Sequence, residues 1–199
     1  MRDGDKIVLA SDRCSSQGDR KHYKEQQKFF SKPIMVDYGD DSDKEDTICV
    51  VIAFTGYINV ANYIKFGFVA PKIGKDEDFP VYLSGAFLPE LKKSLKETGL
   101  IQIDKEETNT GSSFYLFYNN IVYDIDHNLG FTFTTERKFD SCGSGSHFAL
   151  GSLSTTSSRM NPEKRLKKAI ESAAMHLGSV DDNIDITTLE MSDYVCKPK

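Results

Sequence analysis

The sequence predicts an α+β fold with helical layers on both sides of two packed sheets, an αββα sandwich of four layers. Two apolar, β-branched runs, Lys6 to Ala10 (KIVLA) and Thr47 to Phe54 (TICVVIAF), have the continuous hydrophobicity of strands buried on both faces. From Ser113 the pattern changes to strand alternation broken by tight turns. The element order, strands, two helices, strands, two helices and a last strand, is the order that places helices outside a pair of sheets. A chain of 199 residues suits one domain, 1–199, long enough to bury about 70% of the surface exposed by its unfolded form.

Each element has its own signal. Asp37 to Asp46 (DYGDDSDKED) is an acidic run with nothing to bury and reads as an exposed insertion between strands. In Tyr57 to Phe68, Val60, Ala61 and Ile64 recur at helical spacing, and Leu83 to Thr98 is a second helical segment, kinked or split by Pro89 and closed by Gly99. SFYLFY, the turn Asn119-Asn120, IVYDID, the turn His127 to Gly130 and FTFTT make three strands. Pro162 to Leu177 is the clearest helix. Asn161 caps it, Pro162 opens it, Gly178 ends it, and Leu166, Ala169, Ile170, Ala173, Ala174 and Leu177 form its apolar stripe. Asn183 to Glu190 alternates as a final strand.

Composition excludes several classes of function. A net charge of −5 is the wrong sign for a general nucleic-acid binder, which neutralises phosphates with a basic surface. No run of 18 apolar residues is present to span a membrane, and Met1 to Asp5 is not a signal-peptide start, so a cytoplasmic chain is expected. Cys14, Cys49, Cys142 and Cys196 show no CxxC spacing; the spacing suggests neither a zinc site nor a redox motif, and each reads as a free thiol of a reducing compartment. The four histidines lack HExxH spacing, and the Gly-Ser run near 144 lacks the ending of a phosphate-binding P-loop. No cofactor or metal is expected.

Three stretches resemble the proteasome β-subunit and HslV family of N-terminal-nucleophile hydrolases. KIVLASDRCSSQG resembles the family's strand and turn, an apolar run ending at an Asp with a Gly six residues later: here Asp12 and Gly18, with Ser16 where the family has a Thr or Ser lining the substrate groove. The family lysine sixteen residues after that Asp is matched by Lys28. DSCGSGSHFALGSL resembles the family's GSGS turn into a helix and places Ser144 at the serine near the nucleophile. Taken as residues alone, Asp12 also suits a strand end, Lys28 a solvated lysine and Ser144 a turn or helix cap.

The resemblance implies a threonine-type endopeptidase acting on peptides or unfolded proteins inside a homo-oligomeric ring, with an ATP-driven unfoldase as a further partner. In that chemistry the free α-amine of an N-terminal threonine is the base for its own hydroxyl. A neighbouring lysine favours the unprotonated amine, and a carboxylate holds the lysine. Lys28 would tune the nucleophile, Asp12 would anchor Lys28, and Ser144 would complete the network. Phe54-Thr55-Gly56 resembles the Ala-Gly-Gly segment whose backbone N–H faces the oxyanion, so Thr55 and Gly56 would border the substrate, with Thr55 in place of a glycine.

The sequence also departs from the pattern. The family's nucleophile lies sixteen residues before its Asp, which falls ahead of Met1, and neither Met1 nor Arg2 supplies a hydroxyl. Leu177 and Val180 stand about where many β-subunits place an Asp and a Ser. The expectation is a chain inactive as written, either because a strand headed by Thr precedes Met1 or because the chain is a non-catalytic ring subunit.

Overall fold

The apolar runs become strands in a computed structural model that describes residues 1–17, 20–23, 27–39, 46–104, 107–190 and 194. In chain order, β1 (Arg2–Asp3), β2 (Lys6–Asp12), β3 (Cys14–Gln17), β4 (Arg20–Tyr23), β5 (Phe29–Asp37) and β6 (Thr47–Gly56) lead to α1 (Ile58–Asn62), whose helix widens over Tyr63–Gly67. β7 (Ile73–Gly74) precedes α2 (Phe79–Tyr82), which widens over Leu83–Phe87 and continues as α3 (Leu88–Glu97). There follow β8 (Gln102–Asp104), β9 (Glu107–Asn109), β10 (Ser112–Tyr118), β11 (Ile121–Ile125), β12 (Phe131–Thr134), α4 (Ser146–Thr155), α5 (Pro162–His176) and β13 (Ile184–Leu189). Two compact units result: unit 1 is Met1–Phe29 with Thr134–Met191, and unit 2 is Phe30–Phe133 with Ser192–Lys199. Among the described residues, no helix is long and apolar enough to cross a membrane.

Unit 2 is a six-stranded sheet, in the order β12-β11-β10-β6-β5-β7, with the helices between β6 and β8. β10 runs antiparallel to both β6 and β11, from Ser112 opposite Gly56 to Phe117 opposite Val51 on one side. Asn119 and Asn120 both take positive φ, 47° and 60°, the conformation of a two-residue turn whose twist matches its strands. Val50, Ile52, Leu83, Leu91, Leu95 and Leu116 lie in one apolar core, fully removed from solvent.

The expected helix at 83–98 begins earlier, at Phe79, and the split at Pro89 has a clear cause. Proline has no N–H to donate to the carbonyl four residues back, at Gly85, and the widened turn over Leu83–Phe87 lies directly before it. After Thr98 the chain leaves through Gly99 at φ 69°, and Leu100 N–H bonds to Leu95 O at 3.0 Å, a glycine-terminated helix end. β5 is not evident from the sequence, because Pro33 interrupts an otherwise alternating run. Pro33 lies outside the short pairing with β7, which meets β5 at Val36 and Asp37.

Unit 1 centres on β2, flanked by β1 and β13 in a three-stranded antiparallel sheet. Among the described residues, one apolar cluster packs Val8 of β2 with Ala149, Leu153, Leu166 and Ala169 of α4 and α5. Asn161 caps α5 as expected, its side chain accepting from Lys164 N–H at 3.2 Å. Arg165, buried on the same helix, donates to Leu153 O at 2.6 Å and Thr156 Oγ1 at 3.1 Å, closing the C-terminal carbonyls of α4.

Two expectations need comment. Cys49 is disulfide-bonded, which corrects the reading of four free thiols; distance along the chain does not limit which thiols meet in a fold. Cys14 and Cys142 are thiols outside any disulfide. In the acidic run of 37–46, residues 40–45 lie outside the described residues.

Candidate active site

β2 delivers Asp12 at its end, and both carboxylate oxygens are engaged. Cys14 N–H donates to Oδ2 at 2.9 Å, the side-chain-to-backbone bond by which an Asp turns the chain two residues on. Lys28, just ahead of β5, donates from Nζ to Oδ1 at 2.7 Å. The Lys28 side chain is 30% exposed and that of Asp12 14%, so water screens the pair less than a surface ion pair. The chain between these two positions, sixteen apart, includes the hairpin β3–β4 and is closed by this contact.

The glycines around Ser144 have separate tasks. Gly143 has φ 91°, a conformation that disfavours any side chain. At Gly145 a Cβ would lie 2.9 Å from Ala173 Cβ and 3.2 Å from Val180 Cγ2, so glycine is what lets the start of α4 approach α5 and the segment after it. Between them, the Ser144 hydroxyl meets that of Ser179 at 2.9 Å.

Ser179 and Asp181 are two residues apart, at most about 7.6 Å between Cα atoms. Asp181 is buried, and a carboxylate oxygen of Asp181, one of Asp12 and the Sγ of Cys14 all lie within 4.8 Å of one another. The loop before β13 thus carries both Ser179, which meets Ser144, and Asp181, which comes within 4.8 Å of an Asp12 oxygen. Beside it, Arg13 grips Asp185 of β13 through two hydrogen bonds, 2.9 Å from Nε and 2.5 Å from Nη2. The bonds from Asp185, then its charge, raise the pKa of Arg13.

At the other end of the ladder, the Met1 amine donates to Val8 O at 2.8 Å while Val8 N–H donates back to Met1 O at 2.8 Å. Burial, reinforced by Arg2 and opposed by Asp140, lowers this ammonium to about 6.

Of the remaining sequence candidates, Ser16 lies on β3 opposite Lys21, and Gly18 lies outside the described residues. Thr55 and Gly56 end β6 in unit 2. Gly56 has φ 112°, and a Cβ there would lie 2.4 Å from Gly111 O; it is required by the approach of that neighbouring backbone. The next N–H, of Tyr57, donates to Ser112 Oγ at 3.0 Å. Val180, which with Leu177 departs from the Asp and Ser that many β-subunits place there, is buried, and its neighbour Ser179 meets Ser144. Ser179 and Asp181 were missed; the available signal was a Ser-Val-Asp segment directly after the glycine expected to end α5.

No protein-family model matches the chain, and no curated protein matches it in sequence. Solved structures do match. Thiobacillus denitrificans BPH in complex with epoxomicin superposes with a TM-score of 0.67 at 16% identity, covering 96% of each chain. Eukaryotic HslV from Trypanosoma brucei gives 0.59 at 22%, covering 95% of this chain and 96% of that one. The Anbu complex of Pseudomonas aeruginosa, solved as a helical assembly, gives 0.55 at 12%, covering 94% and 78%. With nearly the whole chain superposed and the same family's motifs in sequence order, the chain has the fold of the proteasome β/HslV family.

Proposed function

We propose that this chain is a peptidase subunit of the proteasome β/HslV type, with the αββα sandwich fold of that type, which assembles with copies of itself into a ring. The carrying observation is the Lys28–Asp12 ion pair of 2.7 Å, tied through Asp181 and Ser179 to Ser144. In a threonine-type mechanism Lys28 keeps the nucleophile's α-amine unprotonated, so that it accepts the hydroxyl proton as the hydroxyl attacks a peptide carbonyl. Asp12 aims Lys28, and Ser144 with Ser179 supplies hydroxyls for proton exchange. Ser16, Thr55 and Gly56 belong to the substrate-facing surface of this reading.

The register of the first hairpin says where a nucleophile would have to be. Arg2 pairs with Ile7 and Asp3 with Lys6, so paired positions sum to 9. An upstream extension of β1 would bring the fourth residue ahead of Met1 opposite Asp12. A Thr at the head of such a strand supplies both the nucleophile and its base. A second reading is a non-catalytic ring subunit.

Exposed Met175 of α5, and exposed Phe66 and Val69 after α1, supply apolar surface for ring contacts. Peptides or unfolded proteins are the substrates, and an ATP-driven unfoldase is the partner that would feed them. The same reading places the chain in the cytoplasm, where the disulfide of Cys49 would be a redox-sensitive exception.

The test is to read the coding sequence upstream of Met1 and assay both forms on an unstructured fluorogenic peptide. The enzyme reading expects an in-frame Thr, Ser or Cys, turnover by the extended and processed protein, and loss of that turnover in Lys28→Ala. The 199-residue chain is expected to be silent. Turnover by that chain alone, blocked by an inhibitor directed at N-terminal threonine, would overturn the assignment of the nucleophile.

A further inference from the structure

Asp12, Cys14 and Asp181 come from three places: the end of β2, the first residue of β3, and the loop before β13. Their potential ligand atoms nonetheless lie within 4.8 Å of one another. Cys14 is 2% exposed and Asp181 5%. The decisive atom is Oδ2 of Asp181. Its companion Oδ1 accepts from Asn183 N–H at 2.8 Å, but Oδ2 is buried and has no hydrogen-bond partner.

A buried carboxylate oxygen without a partner is costly, more so with a second carboxylate close by. Among the described residues, two cations close to this cluster have partners of their own. Lys28 is bonded to Asp12, and Arg13, which senses the charge of Asp181, has its fork on Asp185.

We propose that Asp12, Cys14 and Asp181 form a binding site for a zinc-class divalent cation, with water as the fourth ligand. The donor set decides the class. Two carboxylate oxygens and a thiolate suit zinc, whereas the all-oxygen preference of calcium and magnesium leaves no role for the sulfur. Tetrahedral zinc, at about 2.1 Å to oxygen and 2.3 Å to sulfur, holds its ligand atoms roughly 3.5 Å apart, so the three side chains need close by only about an ångström. Binding displaces the Cys14 thiol proton to solvent. Each Asp12 oxygen accepts one hydrogen bond and retains a lone pair, so coordination does not require Lys28 to leave. The cation would tie the β2–β3 turn to the loop leading into β13. This inference is independent of peptidase activity.

The test uses the purified 199-residue chain. Loaded with Zn²⁺ and passed through gel filtration, it should retain one equivalent by elemental analysis, with a higher melting temperature. Co²⁺ in place of Zn²⁺ should give a near-ultraviolet thiolate charge-transfer band. The band should vanish in Cys14→Ser, persist in Cys142→Ser, and require at least about tenfold more Co²⁺ in Asp181→Asn. If either site variant fails to fold, the wild type and Cys142→Ser decide alone. Absence of stoichiometric zinc, absence of the band, or its loss in Cys142→Ser would overturn the proposal. In each of these cases Cys14 is simply a thiol beside two carboxylates.

Discussion

The two units solve the problem of cohesion differently. Unit 2 buries a continuous apolar core between its six-stranded sheet and its helices, with Tyr82, Phe87 and Leu91 fully removed from water. Among the described residues, unit 1 has a smaller apolar cluster around Val8, Leu153 and Leu166, beside buried Ile7, Leu9 and Leu189, and a polar framework: Arg165 on α4, Arg13 on Asp185, Lys28 on Asp12. Apolar packing sets stability and is non-directional. Hydrogen bonds to charged groups set geometry. The unit with the smaller described apolar cluster is the one that brings Asp12, Lys28 and Asp181 close to one another.

The contrast is tested most strongly by truncation. Phe87→Ala in unit 2 should lower the free energy of unfolding by about 3–5 kcal/mol, while Leu153→Ala in unit 1, among alanines that can close the gap, should cost about 2 kcal/mol. Denaturant titration reads both, and equal losses would erase the distinction.

A smaller effect is confined to unit 1. The Met1 amine has a folded pKa of about 6 against about 8 unfolded. Between those values the unfolded chain binds more protons, so stability rises with pH and is lost as pH falls through 6. The change is at most about 2–3 kcal/mol. N-terminal acetylation should flatten the profile. Unit 2 should contribute little there through its buried phenols, since burial raises both Tyr82 and Tyr123, the latter to about 12. A slope unaffected by acetylation would place its origin elsewhere.

The smallest effect is the most local. A double-mutant cycle of Asp12→Asn and Lys28→Met should give a coupling of about 1 kcal/mol, the upper range for a partly exposed ion pair. Coupling near zero by denaturant titration would mean that Asp12 does not anchor Lys28.

Legibility followed the same division. The unit 2 strands at 47–56, 112–118 and 121–125 stood out because burial imposes a repeating pattern on consecutive residues. β5 escaped because Pro33 interrupts its alternation, and a proline inside a run argues against a strand. In unit 1, Asp12 and Lys28 could be paired only by resemblance, since sixteen residues of spacing carry no local physics. For Ser179 and Asp181 the local signal, a Ser-Val-Asp segment after the helix-ending glycine, marks polar residues without naming their partners, which lie far away in sequence. Arg165, among the expected solvent-facing positions of α5, is buried because two acceptors at the end of α4 await it.

The widened turns at Tyr63–Gly67 and Leu83–Phe87 bear on how the chain can change length. Such a turn is an α-helix that has absorbed one extra residue without losing its direction. A single-residue deletion within 83–87 would return the helix to ordinary α geometry and leave Leu88, Leu91 and Leu95 facing the core. The same deletion between Leu88 and Leu91 would rotate the following turns by about 100° and carry Leu91 and Leu95 away from it. Natural length variation in this helix should therefore fall at the widened turn, where the frame can shift without repacking.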